Sequence, residues 1–116
     1  MPFITVRANQ KITKEQEIEI KKELGKAIAF VPGKSEQSLM VMFEPNTSMY
    51  LRGEDSQKMA FLDVAVFGNE SHKGYPEFSL YMSKSINEIL NVKPENIFID
   101  YRDIPVFGAS GYAFAR

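Results

Sequence analysis

With 116 residues, 44% of them hydrophobic and 25% charged, the chain has the composition of one soluble globular domain, residues 1–116, large enough for a real core. A formal net charge of −1 without a basic block gives no nucleic-acid footprint, and no apolar run approaches the ~20 residues of a membrane span. The absence of cysteine removes disulfides, thiolate chemistry and Cys-based metal sites, and the single histidine, His72, leaves no material for a His cluster or a Ser–His triad.

The chain starts Met1-Pro2 and continues as a strand over residues 3–8. If Met1 is removed, the Pro2 ring nitrogen becomes a free secondary amine, a competent base when its pKa lies near the working pH. The alternative is that Pro2 merely starts an edge strand, where a missing donor costs nothing. No basic-then-apolar leader precedes the first charge, Arg7, so a cytoplasmic protein is expected. Thr13 followed three positions later by Gln16 predicts a capping box and a helix start. Ile20, Leu24, Ala27, Ile28 and Val31 repeat at helical spacing, and Pro32-Gly33 stops the pattern. On the polar face an i,i+4 pair between Glu17 and Lys21 is expected. Residues 38–44 form a second strand and Pro45-Asn46-Thr47-Ser48 a turn.

The order then recurs. Residues 59–67 read as a strand, closed by Gly68-Asn69-Glu70-Ser71. A helix from about Pro76 carries Phe78, Met82, Ile86, Ile89 and Leu90 on one stripe and stops at Lys93-Pro94. Residues 96–101 form the last strand, and the tail, residues 105–116, is rich in Gly, Ala and aromatics. Two β-α-β units, each with parallel strands, assemble most simply into an α+β domain: one four-stranded sheet with both helices on one face. Yet residues 39–43 and 59–67 are apolar at nearly every position, so the face opposite the helices also calls for burial. Either further copies of the chain cover it or the tail folds over it.

Pro2, the two β-α-β units, Gly33-Lys34 after the first helix, Val66-Phe67-Gly68 closing the third strand and Phe98-Ile99-Asp100-Tyr101 in the fourth together resemble the macrophage migration inhibitory factor family of the tautomerase superfamily. The resemblance spans essentially the whole chain. It implies the tautomerase fold assembled as a homotrimer, with an inner barrel of sheets. It also implies an isomerase: keto–enol tautomerisation of phenylpyruvate-like acids without cofactor or metal, Pro2 acting as catalytic base at a subunit interface. Lys34 and the backbone N–H of Phe67 would bind the substrate carboxylate, with Phe98, Asp100, Phe107 and Phe114 as further substrate-binding positions. Lys34 would also help keep the amine unprotonated, since a neighbouring cation disfavours the charged form.

Against these roles, Lys34 could be a solvated residue after a helix C-terminus, and His72 reads as a loop residue without a role. Several positions depart from the family pattern. Phe98 stands where tyrosine is frequent, Asp100 where asparagine is, and Ala109 where tryptophan is, with Phe107, Tyr112 or Phe114 left to fill the pocket. Met59 and Leu62 stand where the vertebrate cytokine has cysteines. An ionised Asp100 would repel an anionic substrate unless paired with Lys34 or Arg102. The expected partners are therefore a small aromatic α-keto acid or enol and further copies of the chain. The alternative is a cytokine-like molecule that binds a protein receptor, secreted by a non-classical route and retaining weak or vestigial turnover. A third reading is decarboxylation or hydration on the same base, drawing on Arg52, Arg102 or Asp100.

Overall fold

A computed structural model describes residues 1–116. Four strands form one sheet: β1 (Pro2–Ala8), β2 (Met40–Glu44), β3 (Ala60–Val66) and β4 (Ile97–Asp103), in the order β2-β1-β3-β4. The pairs β1/β2 and β3/β4 are parallel, as each β-α-β unit requires, and the two units meet through an antiparallel central pair, β1/β3. Two helices, α1 (Lys14–Ala27) and α2 (Tyr75–Leu90), lie on one face of that sheet, packed on each other and over a single hydrophobic core. Neither is long and apolar enough to cross a membrane.

Local chemistry sets the element ends. The Thr13 hydroxyl accepts from the Gln16 backbone N–H while the Gln16 side chain accepts from the Thr13 N–H, completing the capping box. After α1 a 3-10 turn over Ile28–Phe30 and a reverse turn with Gly33 at φ +74° deliver Lys34, whose N–H donates to the Val31 carbonyl. The ion pairs on α1 are Lys14–Glu17 and Glu23–Lys26, spaced one residue closer than the expected Glu17–Lys21 pair. The α2 stop comes earlier than Lys93-Pro94, at Asn91, which is left-handed at φ 58° and donates to the Asn87 carbonyl.

Strand alternation decides what each side of the sheet meets. Ile4, Val6 and Ala8 of β1 and Leu62, Val64 and Val66 of β3 point under the helices, against Ile20, Leu24, Phe78, Met82 and Ile86, all fully buried or nearly so. The opposite side has no cover. Met40 is 60% exposed, Met42 43% and Phe98 54%, so the apolar demand read from residues 39–43 stands in the single chain. The third strand differs from its continuous apolar appearance: its bare side reads Phe61, Asp63, Ala65, and Asp63 sits in a charged network with Arg7 and Arg102.

The tail does not fold over this face. It forms a separate hairpin, β5 (Val106–Ala109) with β6 (Tyr112–Ala115), joined by Ser110 and Gly111 at φ 54° and 82°. Positive φ at both turn residues gives the twist a two-residue hairpin needs. Every residue of β6 is exposed, Tyr112 at 72%, and a two-stranded ribbon is marginal alone in water. Its Arg116 anchors it to the body through Asp103 at 2.9 Å and Glu70 at 3.6 Å.

Candidate functional site

The start of β1 lies beside the end of β3. Met1 extends the ladder by one residue: the Phe67 N–H donates to the Met1 carbonyl at 3.2 Å, and the Met1 amine donates to the Phe67 carbonyl at 3.3 Å. From the turn after α1, Lys34 reaches the same place. Its ammonium stands close enough to disfavour protonation of the terminal amine. Gly68, at φ +91°, makes room for it: a Cβ there would stand 3.1 Å from Lys34 Nζ. Glycine is thus called for twice over, by its backbone and by the lysine beside it.

Burial first, and Lys34 second, lowers the terminal amine from an ordinary 8.0 to about 6. At pH 7 that raises the free-base share from about one-tenth to about nine-tenths. Beside this end of β1 opens a cavity of about 390 Å³, lined by Met1, Pro2, Phe3, Ser38, Met40 and, from the hairpin, Phe107, Gly108, Ala109 and Ser110. The Phe67 and Phe107 rings face each other at 6.4 Å, which ties the hairpin to the site.

Of the positions anticipated from the sequence, Pro2, Lys34, Phe67 and Phe107 come together here. Phe114 is the cross-strand partner of Phe107, one strand further from the cavity. Phe98 and Asp100 do not join them within the chain. Pro2 aligns with Val66 and Asp103, whereas Phe98 aligns with Phe61 and Arg7, five residues along, or roughly 17 Å. Phe98 instead lines a second cavity, of about 330 Å³, with Tyr50, Phe61 and Arg7. Nor does Asp100 take Lys34 or Arg102 as its partner; the Arg102 fork closes on Asp63, with both hydrogen bonds at 2.9 Å. His72 is exposed, stacked 6.0 Å from the Tyr75 ring.

Sequence reasoning missed Ser38, Met40 and Ser110 at the cavity. Only the β1/β2 register, which sets Phe3 opposite Met40, and the hairpin turn bring them there. No three His, Cys, Asp or Glu side chains converge as a metal ion would need.

The sequence profile of the macrophage migration inhibitory factor (MIF) family matches residues 1–115. Among solved structures, MIF2 of Leishmania major superposes with a TM-score of 0.86 at 20% identity, covering 98% of this chain and 97% of that one. The MIF homologue of Prochlorococcus marinus follows at 0.84 and 20% identity, covering 97% and 99%. Pt0534, in a structure inactivated by 2-oxo-3-pentynoate, superposes at 0.80 and 15% identity, covering 94% and 93%. Compared by sequence alone with curated proteins, the chain matches none. The domain is thus a tautomerase-superfamily α+β fold whose N-terminus lines a cavity, with Lys34 near the terminal amine. The chain belongs to the macrophage migration inhibitory factor family.

Proposed function

We propose that the chain is a cofactor-free keto–enol tautomerase of phenylpyruvate-like 2-oxo acids, with the Pro2 nitrogen as its base once Met1 is removed. The observation that carries this reading is the setting at the head of β1, between Lys34 and Phe67, where burial and Lys34 lower the Met1 amine and would act likewise on the Pro2 nitrogen that trimming frees. Met1 supports it in an unexpected way. Its carbonyl occupies the Phe67 N–H, and its amine stands beside Lys34. Trimming Met1 releases one neutral and one cationic donor on the same side of the new terminus, a pairing suited to a carboxylate. The apolar lining, Phe3, Met40 and Phe107, suits a phenyl ring.

In this mechanism the substrate carboxylate sits on Lys34 and the Phe67 N–H. The unprotonated Pro2 nitrogen takes the proton from the carbon next to the keto group and returns it to the enolate oxygen; the reverse order runs ketonisation. Lys34 both keeps the base free and offsets the negative charge that grows on the enolate. That Pt0534 is inactivated by a 2-oxo acid accords with this substrate class. We further propose that copies of the chain cover the bare sheet face as a homotrimer, which would bring Phe98 and Asp100 of one copy toward the Pro2 cavity of another.

The test compares enol–keto conversion of phenylpyruvate by the trimmed protein, by a preparation retaining Met1 (each checked by mass spectrometry) and by Pro2→Gly. Retained Met1 turns the proline nitrogen into an amide, so turnover should vanish there and fall at least about a hundredfold in Pro2→Gly. Equal turnover with and without Met1 refutes the mechanism.

A further inference from the structure

Strand register gathers five charged groups on the uncovered side of the sheet: Arg7 from β1, Glu44 from β2, Asp63 from β3, and Asp100 and Arg102 from β4. Their pairing is unequal. Arg102 grips both oxygens of Asp63 at 2.9 Å. Arg7 binds Glu44 at 2.5 Å and reaches Asp63 at 3.7 Å. Asp100 stands directly opposite Asp63 and receives no ion pair, although its Oδ1 is shut off from water without any donor. A buried carboxylate oxygen without a donor is costly, and two ionised carboxylates side by side repel. A proton shared between the two carboxyl groups, which stand side by side on neighbouring parallel strands, removes both problems.

We propose that Asp63 and Asp100 hold one proton between them, and that losing it sets an upper pH limit on burying this face against another copy of the chain. The inference rests on the self-association proposed above. With the proton in place, two guanidinium charges balance two carboxylates and the patch is neutral. Without it, each copy brings one unbalanced negative charge into the contact, where low dielectric makes like charges expensive.

The directions agree with this geometry. Burial, then the hydrogen bond and charge of Asp63, push Asp100 above the usual carboxylate range. Burial works against ionisation of Asp63 too, but its hydrogen bond with Asp100 and the charges of Arg102 and Arg7 outweigh that and hold it low. The sign follows by linkage. Asp100 is raised in the folded form, so its contribution is full below the unfolded carboxylate value and is lost as pH rises through the raised one. Asp63 is depressed, so its contribution is lost only as pH falls through its lowered value. The unbalanced charge that appears above the raised Asp100 value costs more when buried between copies than in the single chain, so self-association weakens toward alkaline pH.

The experiment is sedimentation velocity of the full chain from about pH 4.5 to about pH 8.5, with carbon-13 NMR of the Asp63 and Asp100 carboxyls over the same range. The wild type should weaken in self-association by about tenfold or more across that range, while Asp100→Asn, whose amide can donate to Asp63, stays flat. The carboxyls should titrate in two well-separated steps that belong to the pair. Asp63→Asn gives a second check: it frees Arg102 for Asp100 and should also remove the alkaline weakening. Equal pH dependence in wild type and Asp100→Asn overturns the switch alone. Independent titration of both carboxyls in the ordinary range overturns the shared proton. A chain that is monomeric at every pH overturns the switch together with the assembly reading.

Discussion

Replacing Lys34 with alanine separates the two tasks assigned to it. The first is electrostatic. The Met1 amine is lowered from 8.0 to about 6, with burial the larger cause and Lys34 the next, and the Pro2 nitrogen freed by trimming would sit one residue along, near the same lysine. Removing the lysine leaves the burial, so the amine must come to rest between those two values. For a base shifted as far as the Met1 amine, the share free at pH 7 then falls from about nine-tenths toward, but never below, about one-tenth. The loss of working base is thus at most roughly ninefold, and it disappears when the assay is run above about pH 9. The second task is binding. A carboxylate that loses a partly buried ammonium loses a charge-assisted hydrogen bond, about 1.5–3 kcal/mol, or roughly ten- to a hundredfold in KM. No rise in pH restores that part. The assay is phenylpyruvate enol–keto conversion followed by ultraviolet absorbance across pH, with kcat and KM resolved at each point. Lys34→Ala should move the rising limb of the kcat profile upward in pH and raise KM at every pH. A rising limb that stays in place, together with an unchanged KM, would refute both roles at once. An unmoved limb with raised KM would leave only the binding role.

Two further substitutions test how the site is built and held. Gly68→Ala places a side chain at φ +91° and 3.1 Å from Lys34 Nζ, so it should cost about 1–2 kcal/mol in chemical denaturation and raise KM by displacing the ammonium; unchanged stability and KM would mean that the lysine lies elsewhere. Phe78→Ala removes a fully buried ring beneath the sheet and should cost about 3–5 kcal/mol, a large share of a small domain's stability, read as a fall in denaturant midpoint.

What the sequence disclosed follows the range over which each interaction acts. The Thr13–Gln16 capping box, the stripe through Ile20 and Leu24, and the stripe through Phe78, Met82 and Ile86 are local, and they appear where spacing puts them. The parallel β1/β2 and β3/β4 pairs follow from the helix that crosses over between the strands of each pair. The hairpin was hidden because its strands are only four residues each, and Gly108 and the alanines between the aromatics blur the alternation; Ser110-Gly111 was its one local signal. Asp63 was concealed by its apolar neighbours. In sequence it is a single charge inside residues 59–67, and only the alignment of four strands puts Arg7 and Asp100 beside it. Pro2 and Lys34 were legible as a pair only through the pattern of the whole chain, since each alone has an ordinary structural explanation. Ser38 and Met40 carried no signal at all, because the lining of a cavity is fixed by register and not by residue type.

The cavity at Pro2 and the bare face of the sheet belong to one physical problem. The Pro2 cavity is closed on one side by a hairpin whose second strand is wholly exposed, so the wall holding Phe107 is no more rigid than a two-stranded ribbon allows. Burial is the largest cause of the lowered Met1 amine, so a base at this place depends on how firmly that wall is held. Whatever covers the apolar side of Met40, Met42 and Phe98 would also brace that wall, because Met40 lines the cavity and belongs to the uncovered face at once. The single chain thus leaves the same residue unsatisfied for two reasons, packing and catalysis. A second copy meeting this face would relieve both, whereas a ligand filling only the cavity would leave Met42 and Phe98 in water.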